Sequence, residues 1–187
     1  MGLGQTLLTI MALMLMSRLI LTVNRTMLEV DSSKDVSEYR ITATSLGTSV
    51  LEYASDLSFD EATVDTTLTA LQFSSLTAPG FFGPDLPVET NPSLYDDIDD
   101  YQGYTRIDTI PNSAIFFTTI RVHYLNVVPP STITVTTAKT FNKRLTVFVT
   151  SSSMVDYTMI DTVVGGQPKF RQDTLKFQSV FSYWYFR

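Results

Sequence analysis

The chain contains no cysteine. Disulfides, thiolate metal sites and cysteine nucleophiles are therefore excluded. A single histidine, His123, argues against a His-based metal site and against a Ser-His-Asp relay before any geometry is considered. Basic residues are outnumbered, with 13 Lys and Arg against 19 Asp and Glu and a net charge of -6. No Lys/Arg cluster is present to neutralise phosphates, so nucleic acid is not an expected partner. Charged residues of both signs make up only 17% of the chain, while hydrophobic residues make up 44%, enough to form a real core. With Thr and Ser abundant, this balance is that of secreted, β-rich surface proteins and not of disordered chains. A length of 187 residues suits one domain with an appendage better than two full domains.

Helix breakers are also missing over a long stretch. No proline precedes Pro79, and no glycine lies between Gly4 and Gly47. The stretch opens with LGQTLLTIMALMLMSRLILTV, Leu3 to Val23, almost wholly apolar and long enough as a helix to cross a hydrocarbon layer of roughly 30 Å. Arg18 falls near its C-terminal end, where a long side chain can snorkel. Three readings compete: a cleaved secretory signal, a membrane anchor and an assembly helix. The first lacks a basic residue ahead of the run, and Ser17-Arg18-Leu19 is a poor small-residue cleavage site. Beyond the run, Val23, Met27, Val30, Tyr39, Ala43, Leu46, Val50, Ala54 and Leu57 recur mostly at steps of three and four, an amphipathic helical stripe. The stripe weakens at Asp31-Ser32-Ser33-Lys34-Asp35, which predicts a bend or a melted turn. One helix from about Thr6 to about Leu57 would be roughly 75–80 Å long. A monomer of this size cannot bury all of it, so lipid or neighbouring copies must.

The start of this helix, Gly4-Gln5-Thr6-Leu7-Leu8-Thr9, resembles the type IV prepilin processing motif, in which a glycine precedes the cleaved bond. Gly4, Thr6, Leu7 and Leu8 match in place. Gln5 stands where the family has Phe or Met, and Thr9 stands where it has a glutamate. Ser45 to Glu52 and Phe59-Asp60-Glu61 are similar to the second half of the long helix in pilin-like and pseudopilin-like proteins, and Tyr95 to Tyr104 resembles an acidic head loop of MSHA-type prepilins. The resemblance implies a processing site at Gly4-Gln5 and an assembly core of Leu7, Leu8, Ile10, Leu13, Leu15, Leu19, Ile20 and Val23. It implies a helical homopolymer, held in the inner membrane before assembly, handled by pilus machinery and displayed as an extracellular filament. Arg18 would then need a carboxylate from a staggered neighbour, with Glu29 and Asp31 the candidates. A pseudopilin or minor pilin of a secretion system and a membrane-anchored surface binding module are the alternatives.

Residues 78–104 hold four of the eight prolines and three of the eight glycines and read as a surface loop. Within it Asp96, Asp97, Asp99 and Asp100 would repel one another unless a hard cation such as Ca²⁺ organised them. Their spacing is not that of an EF-hand, and the preferred reading is a solvated acidic turn. Adjacent loop carboxylates also set no defined separation for a glycosidase pair. No nucleophile sits beside a base, and no enzyme is expected.

From Thr105 the pattern turns strand-like. Ile115 to Leu125, Thr132 to Thr137 and Arg144 to Thr150 are rich in β-formers, Pro129-Pro130 and Gly165-Gly166 punctuate, and Leu175 to Phe186 reads as a last strand dense in aromatics. His123 reads as a surface or hydrogen-bonded strand residue. Phe177, Phe181, Tyr183, Trp184, Tyr185 and Phe186 read as core plus subunit interface. The expected fold is α+β: a long N-terminal helix, hydrophobic in its first half, packed against an antiparallel sheet. The chain divides on this reading into an assembly or transmembrane helix (1–25), its amphipathic continuation (26–60) and a β-rich head (61–187).

Overall fold

The computed structural model describes residues 2–111, 113–128, 132–164 and 167–185, with side chains described at all of these except 32, 156–164, 167–171 and 185. Helix α1 spans Leu3–Ser55, a length of 53 residues. No proline interrupts it, and its many hydroxyl residues return their donors to the preceding turn. Thr22 Oγ1 donates to Arg18 O, and Thr26 Oγ1 to Thr22 O, each at 2.9 Å. Such bonds let Ser and Thr sit inside a helix without competing for its backbone. The break expected at Asp31–Asp35 does not occur: the backbone is helical throughout, and Ser37 Oγ donates to Ser33 O at 2.8 Å. Loss of the apolar stripe there changes what the helix can bury, not whether it forms. The helix ends in a tightened turn, with Asp56 N–H donating to Tyr53 O at 3.2 Å.

Two compact units share this helix, Met1–Tyr39 and Arg40–Arg187. The first is helical. The second contains a five-stranded antiparallel sheet of β1 (Thr105–Thr109), β2 (Ile115–Val128), β3 (Thr132–Thr136), β4 (Asn142–Val164) and β5 (Gln167–Ser182). Strand β2 is central. Its Ile115–Thr119 end pairs with β1 and its Tyr124–Val128 end with β3, both on one edge, while Phe116–Tyr124 pairs with β4 on the other. β4 and β5 pair regularly from Asn142↔Ser182 to Thr150↔Thr174, with register shifts beyond. The α+β class read from the sequence is the observed one. The last strand is corrected: it ends at Ser182, and Tyr183–Tyr185 forms a 3-10 turn. Pro129-Pro130, Gly165-Gly166 and Phe186 lie outside the described residues.

The alternation in β2 and β4 decides which face is the core. Phe116, Thr118, Ile120, Val122 and Tyr124 are buried, and so are their cross-strand neighbours Ser151, Val149, Val147, Leu145 and Lys143. In the second unit, α1 packs on the sheet with its small residues. Ala43, Gly47, Val50 and Ala54 are buried at helical spacing, and a Cβ at Gly47 would overlap the Phe177 ring of β5. Arg40 Nη2 donates to Asp173 Oδ2 of β5 at 2.9 Å. Glycine at position 47 is thus there for closeness, although it costs helix stability. Gly47→Val should lower unfolding stability by about 2 kcal/mol through overpacking. Urea denaturation checks this, and an unchanged midpoint would contradict the packing account.

Candidate functional site

Two features merit functional attention, one in each unit. The first is the surface of α1 from Leu3 to Val30. All eight assembly candidates, Leu7, Leu8, Ile10, Leu13, Leu15, Leu19, Ile20 and Val23, are exposed there, as are Met11, Met14, Met16, Leu21, Met27 and Leu28. The helix is long and apolar enough to cross a membrane. Gly4 and Gln5 lie in its first turn, with Gln5 N–H donating to Gly2 O at 2.9 Å. Arg18, Glu29 and Asp31 are also exposed. Glu29 accepts from Arg25 Nε of the same helix at 3.0 Å, an i,i+4 pair.

The second feature is a lysine with no solvent exposure. Lys143 stands at the start of β4, on the inward face shared with Leu145, Val147 and Val149. Its Nζ donates to Phe59 O at 2.7 Å, to Asp60 Oδ2 at 2.7 Å and to Asp99 Oδ1. Three aromatic rings enclose it, with centroids at 4.7 Å for Phe59, 5.2 Å for Phe82 and 5.4 Å for Tyr124. An isolated buried ammonium would be prohibitive, and here carboxylates, a carbonyl and π-faces replace water. Asp60 is held as an acceptor. It takes Thr77 N–H at 3.0 Å and Ala62 N–H at 3.3 Å on Oδ1, and its Oδ2 lies 3.1 Å from the Tyr124 hydroxyl. It also caps the 3-10 turn Glu61–Thr63 in a capping box with Thr63.

Asp99 arrives from the acidic turn, which the chain ties down from both sides. Ser58 N–H donates to Asp96 O at 2.9 Å, and Ile98 N–H to Ser58 O at 3.0 Å. Gln102 Oε1 accepts from Val122 N–H of β2 at 2.6 Å. The turn is therefore not the solvated one expected: Asp97, Asp99 and Asp100 are all buried. The reason is that Lys143 draws carboxylates inward and the turn's own amides satisfy the rest. Asp97 Oδ1 accepts from Asp99 N–H at 2.7 Å and Asp100 N–H at 3.2 Å, and Asp100 Oδ2 accepts from Asp96 and Asp97 N–H, each at 3.3 Å.

The four aspartates thus part company. Asp99 goes to Lys143, while Asp96 and Asp100 join Glu89, their carboxylate oxygens within 4.8 Å of one another. Burial, then the charge of Asp99, pushes the Asp97 carboxyl up to about 9, against the pull of Lys143. Burial pushes Asp100 up to about 7, with Glu89 adding to the shift and the Asp97 and Asp96 amides opposing it. Asp99 is also raised by burial, with Lys143 opposing. His123 is half-buried on β2; burial, then Arg144 and Arg121, lowers its pKa, and its Nδ1 has no hydrogen-bond partner among the described residues. Of the terminal aromatics, Phe181 and Tyr183 are core, with Tyr183 stacked 5.4 Å from Phe141, and Trp184 is exposed.

Lys143 was not singled out from the sequence, Asp60 entered only within a stretch read as helical although α1 ends at Ser55, and Tyr124 and Glu89 were not singled out. The inward parity of Lys143 with Leu145 was the available signal for the first, and the Asp60-x-x-Thr63 cap for the second. Comparison with known proteins adds no relative: no family model, no curated protein and no solved structure matches the chain.

The raised carboxyls set a pH dependence. Asp97 and Asp100 rise from 3.8 to about 9 and about 7, so the folded chain keeps protons that the unfolded chain has released. The unfolded state then binds fewer protons, and stability falls as pH rises from about 4 through these values. Thermal unfolding should give a lower Tm at about pH 8 than at about pH 5. Asp97→Asn keeps the acceptor for both amides without the charge, and should flatten that slope and raise Tm at the higher pH. A parent Tm that climbs over the same interval would refute the assignment.

Proposed function

We propose that the chain is a structural subunit of an extracellular helical filament of the type IV pilin kind, assembling through its N-terminal helix and catalysing no reaction. The observation that carries this reading is the exposed, mostly apolar surface of α1 from Leu3 to Val23, with Met27, Leu28 and Val30 exposed beyond it. Each leucine transferred from water to an apolar contact contributes about 1.5–3 kcal/mol. Repeated along a helix and over many copies, this sustains a heterologous contact that does not close on itself. Before assembly the same surface would be covered by lipid, and pilus machinery would transfer it from membrane to filament. The β-rich unit supports the reading as a head: a helix seated through small residues on an antiparallel sheet is the architecture that such a subunit requires.

Electron microscopy of material sheared from producing cells, with mass spectrometry of the amino terminus, tests the proposal. Thin filaments containing this chain support it, and the terminal mass shows whether the Gly4–Gln5 bond is cut. Recovery of the chain only from detergent-solubilised membrane favours a pseudopilin or an anchored binding module. Within the filament reading, Leu13→Asp places a charge at every repeat of the apolar core and should abolish assembly while leaving the second unit folded. Intact filaments from this variant would exclude the helix as the assembly core.

A further inference from the structure

The arrangement around Lys143 goes beyond what an ordinary ion pair needs. One amine, two carboxyl groups and the rings of Phe59 and Tyr124 lie buried together, with half-buried Phe82 beside them, and the two carboxyls differ. Asp60 accepts from backbone and hydroxyl donors, and its Oδ2 lies 2.7 Å from Nζ, within reach of a proton of the amine. Asp99 bonds to the amine and lies against the side chain of Asp97, whose carboxyl is pushed up by burial to about 9. An amide would replace the buried ammonium and one buried carboxylate by a single neutral group, leaving Asp60 as the remaining anion.

We propose that Lys143 and Asp99 form an intramolecular isopeptide bond, with Asp60 as proton relay and Asp97 as the acid that activates the Asp99 carboxyl. Asp60 takes one proton from the Lys143 ammonium. The freed lone pair attacks Asp99 Cγ while the Asp97 proton passes to the Asp99 oxygen. The C–O bond then breaks and the C–N bond remains. One oxygen of Asp99 departs as water with two protons that derive, through the relay, from Lys143. Asp60 and Asp97 end in the states in which they began, so no oxidant, reductant or cofactor is consumed. Held contact supplies the orientation that makes amide formation from an unactivated carboxyl feasible, and the dry site keeps water from reversing it. The bond would join the start of β4 to the acidic turn, closing a loop between positions 44 residues apart and reducing the freedom of the unfolded chain. This inference concerns the second unit alone and does not depend on the filament reading.

Denaturing intact-mass measurement of the purified full-length chain is the test. The expected mass is that of the sequence less one water, and digestion should yield one branched peptide joining Lys143 to Asp99. Lys143→Arg and Asp60→Asn should each restore the full mass. A parent chain at full mass overturns the proposal outright, whether or not the variants fold. A branch from Lys143 to Asp60 would overturn the choice of Asp99, and an Asp60→Asn chain that still loses water would overturn the relay.

Discussion

A primary ammonium with no access to water must be met by anions wherever the chain can bring them. Lys143 imposes this demand on the second unit, and the local architecture follows from it. Asp60 lies just beyond the end of α1, Asp99 lies in the acidic turn and Lys143 opens β4. Meeting at one nitrogen, they tie the segment after the helix and the long connection before β1 to the inner face of the sheet. Tyr124, directly across from Lys143 in the ladder, places its hydroxyl 2.8 Å from Thr77 O and so secures the same connection a second time. Few such polar contacts organise a segment that otherwise has only short 3-10 turns.

The same demand shapes the electrostatics of the turn. Carboxylates drawn inward lose solvation, and only one of them reaches the lysine. The remainder are satisfied by the amides of their own turn and by retained protons. An acidic sequence therefore becomes partly neutral on folding.

The first unit obeys a different constraint. Its helix is fully hydrogen-bonded within itself, which is the condition for backbone to survive in an apolar medium. Its side chains present an apolar surface that nothing in that unit covers. A stable backbone with an unsatisfied surface is suited to a partner that is itself apolar, whether acyl chains or the same helix from another copy. The small-residue stripe at Ala43, Gly47 and Ala54 solves the corresponding problem in the second unit, where the partner is the sheet of the same chain.

Local periodicity by itself determined the existence of the long helix, the β-rich second part, and the inward set Leu145, Val147 and Val149, because a period of 3.6 or 2 is written in neighbouring residues. It also determined that an apolar surface from Leu3 to Val23 would need cover. It misled at Asp31–Asp35, where polarity was taken for a break although the segment contains no residue that disrupts backbone hydrogen bonds. Only the tertiary structure decided the fate of the acidic turn. Asp96, Asp97, Asp99 and Asp100 look alike in sequence, and what separates them is which one faces an amine supplied by a strand some forty residues later. Long-range pairing of that kind has no local period. Its energy comes from desolvation that exists only once the segments have met, so the pairing of the lysine with its two carboxyl partners was decided only when the fold brought them together, although strand parity already turned Lys143 inward.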